Sequence, residues 1–332
     1  MTGPSHLQPG RAPRLYDDVP SFMGVPVLRA PEDLNGTIMV IGMPFDGPAT
    51  FRDGATRRAP QEIRRFSLLF GGYNLDWDMN TFEYVKVVDS GDVDVVTGDS
   101  EESFRKLEGQ LSTALRAGAV PVTIGGDHGI TYPAVRAVTQ YFGEPMGILL
   151  FDTHLDLSED LAGDRLTRAS PVKRIAELPE IDPYHIAIVG ARGPRNAADW
   201  TRLARQLGIR VFSMQDIEER GISTVVQEAL SSVSPDGRPI YISVDIDAVD
   251  PTYAPVTNNP EPGGLTAREI IQGLRIAASR GFVGVDVVEV SPDFDTRSGT
   301  TAILAARLVC EAVCCVAATR RGCNENKEGL NG

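Results

Sequence analysis

Short apolar runs alternate along this chain with longer stretches in which apolar residues return every three or four positions. The first pattern predicts buried strands, and the second predicts helices that pack one face against a sheet. The predicted strands cover 37–42, 84–89, 119–124, 148–151, 185–190, 209–212, 239–244 and 282–290. The predicted helices lie near 60–69, 99–115, 131–142, 171–178, 196–207, 222–232, 266–279 and 300–318.

The regular alternation predicts an α/β fold, because strands joined through helices usually lie parallel and are connected by right-handed crossovers. We therefore expect a three-layer α-β-α architecture with a central eight-stranded parallel sheet. Neither an internal repeat nor a linker composition interrupts the pattern. The expected organisation is an N-terminal arm at 1–35, a single domain at 36–320 and a C-terminal tail at 321–332.

Composition restricts the classes of partner. The 332 residues include 45 acidic and 32 basic side chains, and the resulting charge of −13 disfavours nucleic acid and anionic membranes. Three of the four cysteines, Cys310, Cys314 and Cys315, lie on one apolar helical run, which is typical of reduced core residues in a cytoplasmic protein. We find neither a signal peptide pattern nor an apolar run of membrane length, so we expect a cytoplasmic protein.

Three of the predicted strands end in residues that commonly bind metal ions. Within a group these residues alternate along the chain, so they would share one side of an extended backbone. The carboxyl ends of parallel strands meet at one edge of a sheet, so the three groups would also meet one another. A polar loop explains one such group, but not all three together. The ligand-type residues are His128 after 119–124, Asp152, His154 and Asp156 after 148–151, and Asp245 and Asp247 after 239–244.

The chemistry of these side chains favours two divalent cations. Carboxylates that lie within a few ångströms of each other raise one another's pKa values and cannot all stay ionised unaided. Imidazole and carboxylate ligands without a thiolate suit Mn²⁺ or Ni²⁺ and disfavour a structural zinc site. Two metals that share a bridging water supply hydroxide near neutral pH. The expected reaction is therefore a metal-assisted hydrolysis at a carbon centre.

The motifs at these strand ends resemble those of the ureohydrolase family, which includes arginase and agmatinase. They are Gly-Gly-Asp-His at 125–128, Phe-Asp-x-His-x-Asp at 151–156 and Ser-Val-Asp-Ile-Asp-x-x-Asp-Pro at 243–251. Segments 44–46, 263–266 and 288–292 also resemble the family and are closer to agmatinase than to arginase. The resemblance extends from about Phe22 to the last helix. It implies hydrolysis of a guanidine-type substrate to urea, or a urea-like product, and an amine, by a homo- or hetero-oligomer such as a trimer or hexamer.

The resemblance also implies roles for single residues. Glu289 would pair with the guanidinium group of the substrate through a charge-assisted contact. Asp156 would accept a hydrogen bond from the bridging hydroxide and pass its proton to the leaving amine. One metal would be held by His128, Asp152, Asp156 and Asp245, and the other by Asp152, His154, Asp245 and Asp247.

Three positions depart from the family pattern. Gly129 stands where the family usually has serine, so a hydroxyl group beside the ligands is missing. Arg168 stands where agmatinases have a histidine that shuttles protons or contacts the substrate, and arginine cannot shuttle protons near neutral pH. Asn258 and Asn259 replace a Gly-Thr pair of the family, and they would either form a turn or offer amide oxygens to the guanidine.

The departures predict a substrate other than arginine or agmatine. Complete metal ligands with an altered rim suit a small or substituted guanidine such as guanidine, 4-guanidinobutyrate or metformin. A cationic Arg168 near the mouth of the site would repel the distal ammonium group of agmatine. Two alternatives stay open, namely a true agmatinase that releases urea and putrescine, and a non-catalytic subunit of a hetero-oligomer. A single-zinc deacetylase of the related fold is disfavoured by the full second set of ligands.

Overall fold

The structure is a computed structural model that describes residues 21–28, 33–47, 55–295 and 298–329, with 324–329 described by their backbone alone. Most of the expected N-terminal arm, 1–20 and 29–32, lies outside the described residues, as does the end of the expected tail at 330–332. Within the described part of the arm, Phe22 and Met23 pack into the hydrophobic core. The division into arm, domain and tail stays a prediction.

An eight-stranded parallel sheet forms the centre of the fold, which confirms the predicted architecture. The strands of the described residues are β1 (Thr37–Gly42), β2 (Tyr73–Asn74), β3 (Met79–Asn80), β4 (Lys86–Asp92), β5 (Val120–Ile124), β6 (Gly147–Phe151), β7 (Ile186–Ala191), β8 (Arg210–Ser213), β9 (Ile240–Asp245) and β10 (Gly284–Val288). The spatial order in the sheet is β4-β1-β5-β10-β9-β6-β7-β8, and every neighbouring pair is parallel. The small antiparallel pair β2 and β3 was not predicted.

Helices cover both faces of the sheet. They are α1 (Ala59–Ser67), α2 (Ser100–Arg116), α3 (Thr131–Phe142), α4 (Pro171–Ile175), α5 (Ala198–Leu207), α6 (Met214–Arg220), α7 (Ile222–Val233), α8 (Ala267–Ala278) and α9 (Thr300–Gly329). Alternate side chains of β1 point to opposite layers, as the strand geometry requires. Ile38 and Val40 join the core that contains α1, α7, α8 and α9, whereas Met39 and Ile41 join the core that contains α2, α3 and α4.

Two helices differ from their predictions. Helix α6 was not predicted, although Ser213 and Asp216 form a capping box at its start, in which each side chain bonds the other's backbone N–H. Helix α9 continues to Gly329 instead of ending at Ala318, so the described part of the expected tail is helical.

The last helix contains an apolar run of membrane length, so the expectation that no such run exists was wrong. Residues Thr300–Cys323 are long and apolar enough to cross a membrane, but 78% of the most apolar window is buried inside the protein. Its side chains, among them the buried Cys310, Cys314 and Cys315, belong to the same core as those of α1 and α8. The apolar character of α9 is therefore that of a core helix, and it does not indicate a membrane span.

Candidate metal centre

The four central strands of the sheet bring the predicted site residues together. In spatial order these strands are β5, β10, β9 and β6, and all of them end at the same edge because they are parallel. His128 follows β5, Glu289 follows β10, Asp245 ends β9, and Asp152 follows β6. Residues from distant parts of the sequence thereby become neighbours at the carboxyl edge, where open α/β sheets commonly form their sites.

Special backbone conformations place several of these residues. Gly125 has a φ of 102°, and a Cβ atom there would lie 2.2 Å from Pro60, so only glycine fits this turn before His128. Asp156 and Glu289 have φ angles of 46° and 65°, which are unfavourable for residues with a side chain. Such conformations persist only where the surroundings enforce them, and they concentrate at functional sites.

The first group of ligands surrounds the imidazole of His128. Its Nδ1 atom lies 3.0 Å from Oδ2 of Asp152, 2.9 Å from Oδ2 of Asp156 and 3.2 Å from Oδ2 of Asp245. Ligand atoms that stand about 2.1 Å from one ion and at right angles to each other are about 3 Å apart. Both His128 Nδ1 and Asp152 Oδ2 are buried without a hydrogen-bond partner. These atoms fit a divalent metal ion.

The second group shares Asp152 with the first. His154 Nδ1 lies 3.1 Å from Oδ2 of Asp247 and 3.7 Å from Oδ1 of Asp152, and the three residues can offer their ligand atoms to one ion. The backbone bends at 153–154 instead of continuing as a strand, so the alternation does not arise from extended geometry as expected. The side chains nevertheless converge, and all six predicted ligands lie at one site.

The electrostatics of the cluster also favour cations. Burial raises the pKa of Asp152 to about 7, and the charge of Asp156 adds to this effect. Burial and the charge of Asp247 raise the pKa of Asp245 well above its ordinary value. Burial alone would lower the pKa of His154, but Asp247 beside it raises this pKa to about 9. The cluster therefore retains protons that divalent ions would displace.

Sequence reasoning missed the residues that orient His128. Its second ring nitrogen, Nε2, lies 3.2 Å from the hydroxyl oxygen of Ser243, which donates a 2.6 Å hydrogen bond to Asp286. Tyr241 donates another hydrogen bond to Asp286. Ser243 and Asp286 are direct partners in the register of β9 and β10. A polar residue inside each of these two otherwise apolar strands was the sequence signal that could have identified this pair.

A cavity of about 200 Å³ opens above the ligands. Buried His154, Asp156, Asp245, Asp247 and Glu289 line its inner part, and Arg168, Ala169, Arg195, Trp200 and Asn259 complete the wall. Carboxylates thus lie at the bottom of the cavity, whereas cationic, aromatic and amide groups lie around them. A small polar molecule with a cationic head group fits this distribution of charge.

Arg168 does not stand at the mouth of the site as expected. It is buried, and its guanidinium group lies 3.0 Å from Asp46, 3.4 Å from Asp127 and 3.4 Å from Glu289. Gly47 accepts a further hydrogen bond through its carbonyl oxygen. The expected repulsion of an ammonium group by Arg168 is therefore wrong in its premise, because three carboxylates surround this charge.

The two asparagines separate in the structure. Asn259 lines the cavity, and its Oδ1 accepts a 2.6 Å hydrogen bond from Nη2 of Arg195. Asn258 is buried and is not part of the cavity wall, and its role as a substrate contact stays a prediction. Gly129 packs closely beside Asp127, where a Cβ atom would stand 2.9 Å from the carboxylate.

Comparisons with known proteins agree with this geometry. The sequence profile of the Arginase family matches residues 36–315. Guanidinopropionase of Pseudomonas aeruginosa is 36% identical over 95% of this chain and 96% of its own length. The mitochondrial guanidino acid hydrolase of Homo sapiens is 36% identical over 89% of this chain and 82% of its own. The solved structure of proclavaminate amidinohydrolase from Streptomyces clavuligerus superposes with a TM-score of 0.84 at 35% identity, and the match covers 92% of this chain and 99% of that one.

Proposed function

We propose that this chain, which belongs to the Arginase family, hydrolyses a C–N bond of a guanidino compound at a centre of two divalent metal ions. One observation carries the proposal. Six ligand-type side chains converge in two groups that share Asp152, directly beneath a cavity that also contains Glu289. Water and the guanidino compound would give urea, or a urea-like product, and an amine.

The family resemblance implies the two ligand sets, and the two groups of converging side chains support them. His128, Asp152, Asp156 and Asp245 would hold one ion, and Asp152, His154, Asp245 and Asp247 would hold the other. Imidazole and carboxylate donors suit Mn²⁺ and Ni²⁺. Bound there, the two ions supply a hydroxide near neutral pH.

Two carboxylates of the chain would then act on the substrate. Asp156, 2.9 Å from His128 Nδ1 and part of the cavity wall, would accept the proton of the nucleophile and deliver it to the leaving nitrogen. Glu289, which accepts a hydrogen bond from the backbone N–H of His128, would pair with the guanidinium group. A C–O bond forms, the C–N bond to the amine breaks, and the proton ends on the amine.

The alternatives fit the structure less well. A non-catalytic subunit would not need to keep both ligand groups and the cavity above them. A single-zinc deacetylase would leave one of the two ligand groups without an ion, although each group brings its ligand atoms close together. A true agmatinase remains the second candidate, and the substrate panel below separates it from the first.

The test combines metal analysis with a panel of substrates. Metal-free protein is loaded with Mn²⁺ or Ni²⁺ and assayed with guanidine, 3-guanidinopropionate, 4-guanidinobutyrate, metformin and agmatine. We expect about two ions per chain in active protein, as two-metal hydrolysis requires. Full activity with one ion per chain, or no hydrolysis of any compound, would overturn the proposal.

A pair of aspartate variants controls this experiment. Asp152→Ala should abolish activity and reduce the metal content, because both groups depend on this buried carboxylate. Asp199→Ala, at an exposed carboxylate in the first turn of α5, should leave both unchanged.

A further inference from the structure

One cation in the wall of the cavity has no anionic partner among the described residues. Arg195 is exposed, and among the residues that the structure describes it forms no ion pair. Other arginines nearby are neutralised, for example Arg168 by its three carboxylates and the exposed Arg202 by Asp199. Arg195 therefore offers its charge to whatever enters the cavity.

The position of Arg195 is fixed by a neighbour. Its Nη2 donates a 2.6 Å hydrogen bond to Oδ1 of Asn259, which turns the amide group of Asn259 so that its oxygen faces the guanidinium. Both residues line the cavity, together with the half-buried Trp200. The guanidinium and the side-chain NH₂ group of Asn259 are both donors, and a carboxylate accepts from several donors at once.

The other arginines that the structure describes at the site cannot serve in this way. Arg168 is held by buried carboxylates. Arg192 uses its guanidinium to bind the carbonyl oxygens of Gly190, Asp247, Ala248 and Glu261, and it is not part of the wall of this cavity.

We propose that Arg195 and Asn259 bind a carboxylate at the distal end of the substrate, so that the substrate is a guanidino acid. This inference rests on the proposed function, because it needs the guanidino head group to lie over the metal ligands and Glu289. The substrate would then span the cavity from its acidic floor to its cationic rim. The names of the guanidinopropionase and the guanidino acid hydrolase agree with such a substrate.

The charge of Arg195 also distinguishes substrates by the group at their distal end, a role that we had expected of Arg168. The distal ammonium of agmatine would meet an unpaired guanidinium, whereas a carboxylate would meet a partner. A neutral alkyl tail would be neither attracted nor repelled by the guanidinium group. The expected order of kcat/KM is therefore guanidino acid, then propylguanidine, then agmatine.

The decisive variant is Arg195→Met, which removes the charge and keeps a similar length of apolar side chain. We expect kcat/KM for 3-guanidinopropionate or 4-guanidinobutyrate to fall by roughly 10- to 100-fold, the usual value of a charge-assisted contact. The loss should lie mainly in KM. The value for propylguanidine should stay within about threefold, and that for agmatine should rise. Arg202→Met, on the exposed face of α5 and outside the cavity wall, is the matched control.

The results with the two variants decide between a role of Arg195 in substrate binding and a merely structural effect. An equal loss for acid and neutral substrates, or a loss in Arg202→Met as large as that in Arg195→Met, would overturn the assignment of Arg195. Hydrolysis of guanidine or agmatine in preference to every guanidino acid would overturn the substrate class while leaving the proposed function intact.

A binding measurement separates the two proposals. If the metal-loaded protein hydrolyses nothing in the panel, the proposed function fails. Calorimetric titration with 3-guanidinopropionate and with propylguanidine still tests Arg195, because the acid should bind the unmodified protein more tightly and lose this advantage in Arg195→Met. Equal affinities for the two compounds in the unmodified protein would overturn the inference.

Discussion

Arg168 joins three carboxylates that come from separate segments of the chain, the partly buried Asp46 and the buried Asp127 and Glu289. Burial raises the pKa of Glu289 to about 7, and the neighbouring charge of Arg168 opposes this rise. The arginine therefore helps to keep Glu289 ionised, as pairing with a guanidinium requires. Where the resemblance implies a histidine, this chain therefore has a buried counterion for carboxylates.

This arrangement predicts a large effect of Arg168→Met on stability. Removing one partner of a buried charge network leaves uncompensated charges, which typically costs about 3–5 kcal/mol. Urea unfolding of the metal-free protein measures the loss. Arg174→Met is the control, because Arg174 is also buried but pairs with the more exposed Glu159 and Glu177. A loss no larger than that of the control would show that Arg168 does not stabilise the acidic cluster.

The same variant has a signature in its pH dependence. Arg168 lowers the pKa of Glu289, so its removal should raise that pKa. A protonated Glu289 cannot pair with guanidinium, and KM therefore rises as the pH falls through this pKa. In Arg168→Met the rise in KM should begin at a higher pH than in the unmodified protein.

At the level of elements, the central strands and the convergence of six ligand-type side chains followed from local sequence, because burial and the ends of strands are properties of short segments. The contacts of Arg168 did not follow, since its partners Asp46 and Glu289 are 122 and 121 residues away in the sequence. Helix α6 was missed because it is only seven residues long, and its capping box lies directly after a strand.

The neighbouring strands β9 and β10 also carry residues that orient a ligand of the candidate metal centre. Ser243 contacts Nε2 of His128 and donates a hydrogen bond to Asp286 on the neighbouring strand, so Ser243→Ala should weaken metal binding without removing a ligand. Groups that orient a ligand typically contribute 10- to 100-fold in metal affinity. Competitive titration with a chelator measures the change, and Ser67→Ala, at a buried serine bonded to Met23 far from the centre, is the control. Equal affinities in the two variants would contradict a role of this pair in positioning His128.

For the whole molecule, family resemblance predicts trimers or hexamers, and one part of the surface suits such contacts. Leu69, Tyr73 and Leu75 are large apolar residues with exposed fractions of 45%, 56% and 79%, and they lie together around a groove beside the β2–β3 hairpin. Contiguous exposed apolar groups commonly mark protein–protein interfaces. We therefore expect light scattering to detect an oligomer of the unmodified protein.

A charge placed on this surface should interfere with assembly. Leu75→Asp would bring an uncompensated carboxylate into an apolar contact, so the assembly should dissociate into smaller species at concentrations where the unmodified protein stays associated. Tyr184→Asp is the control, because Tyr184 is 64% exposed but lies in the Pro183–His185 turn before β7, away from the groove.

The thermal unfolding of Leu75→Asp should be compared at matched concentrations, since the loss of subunit contacts lowers the apparent stability of an oligomer by mass action. A stable, fully active monomer of the unmodified protein would contradict the assembly itself. An intact oligomer of Leu75→Asp would instead show that the subunits meet through another surface.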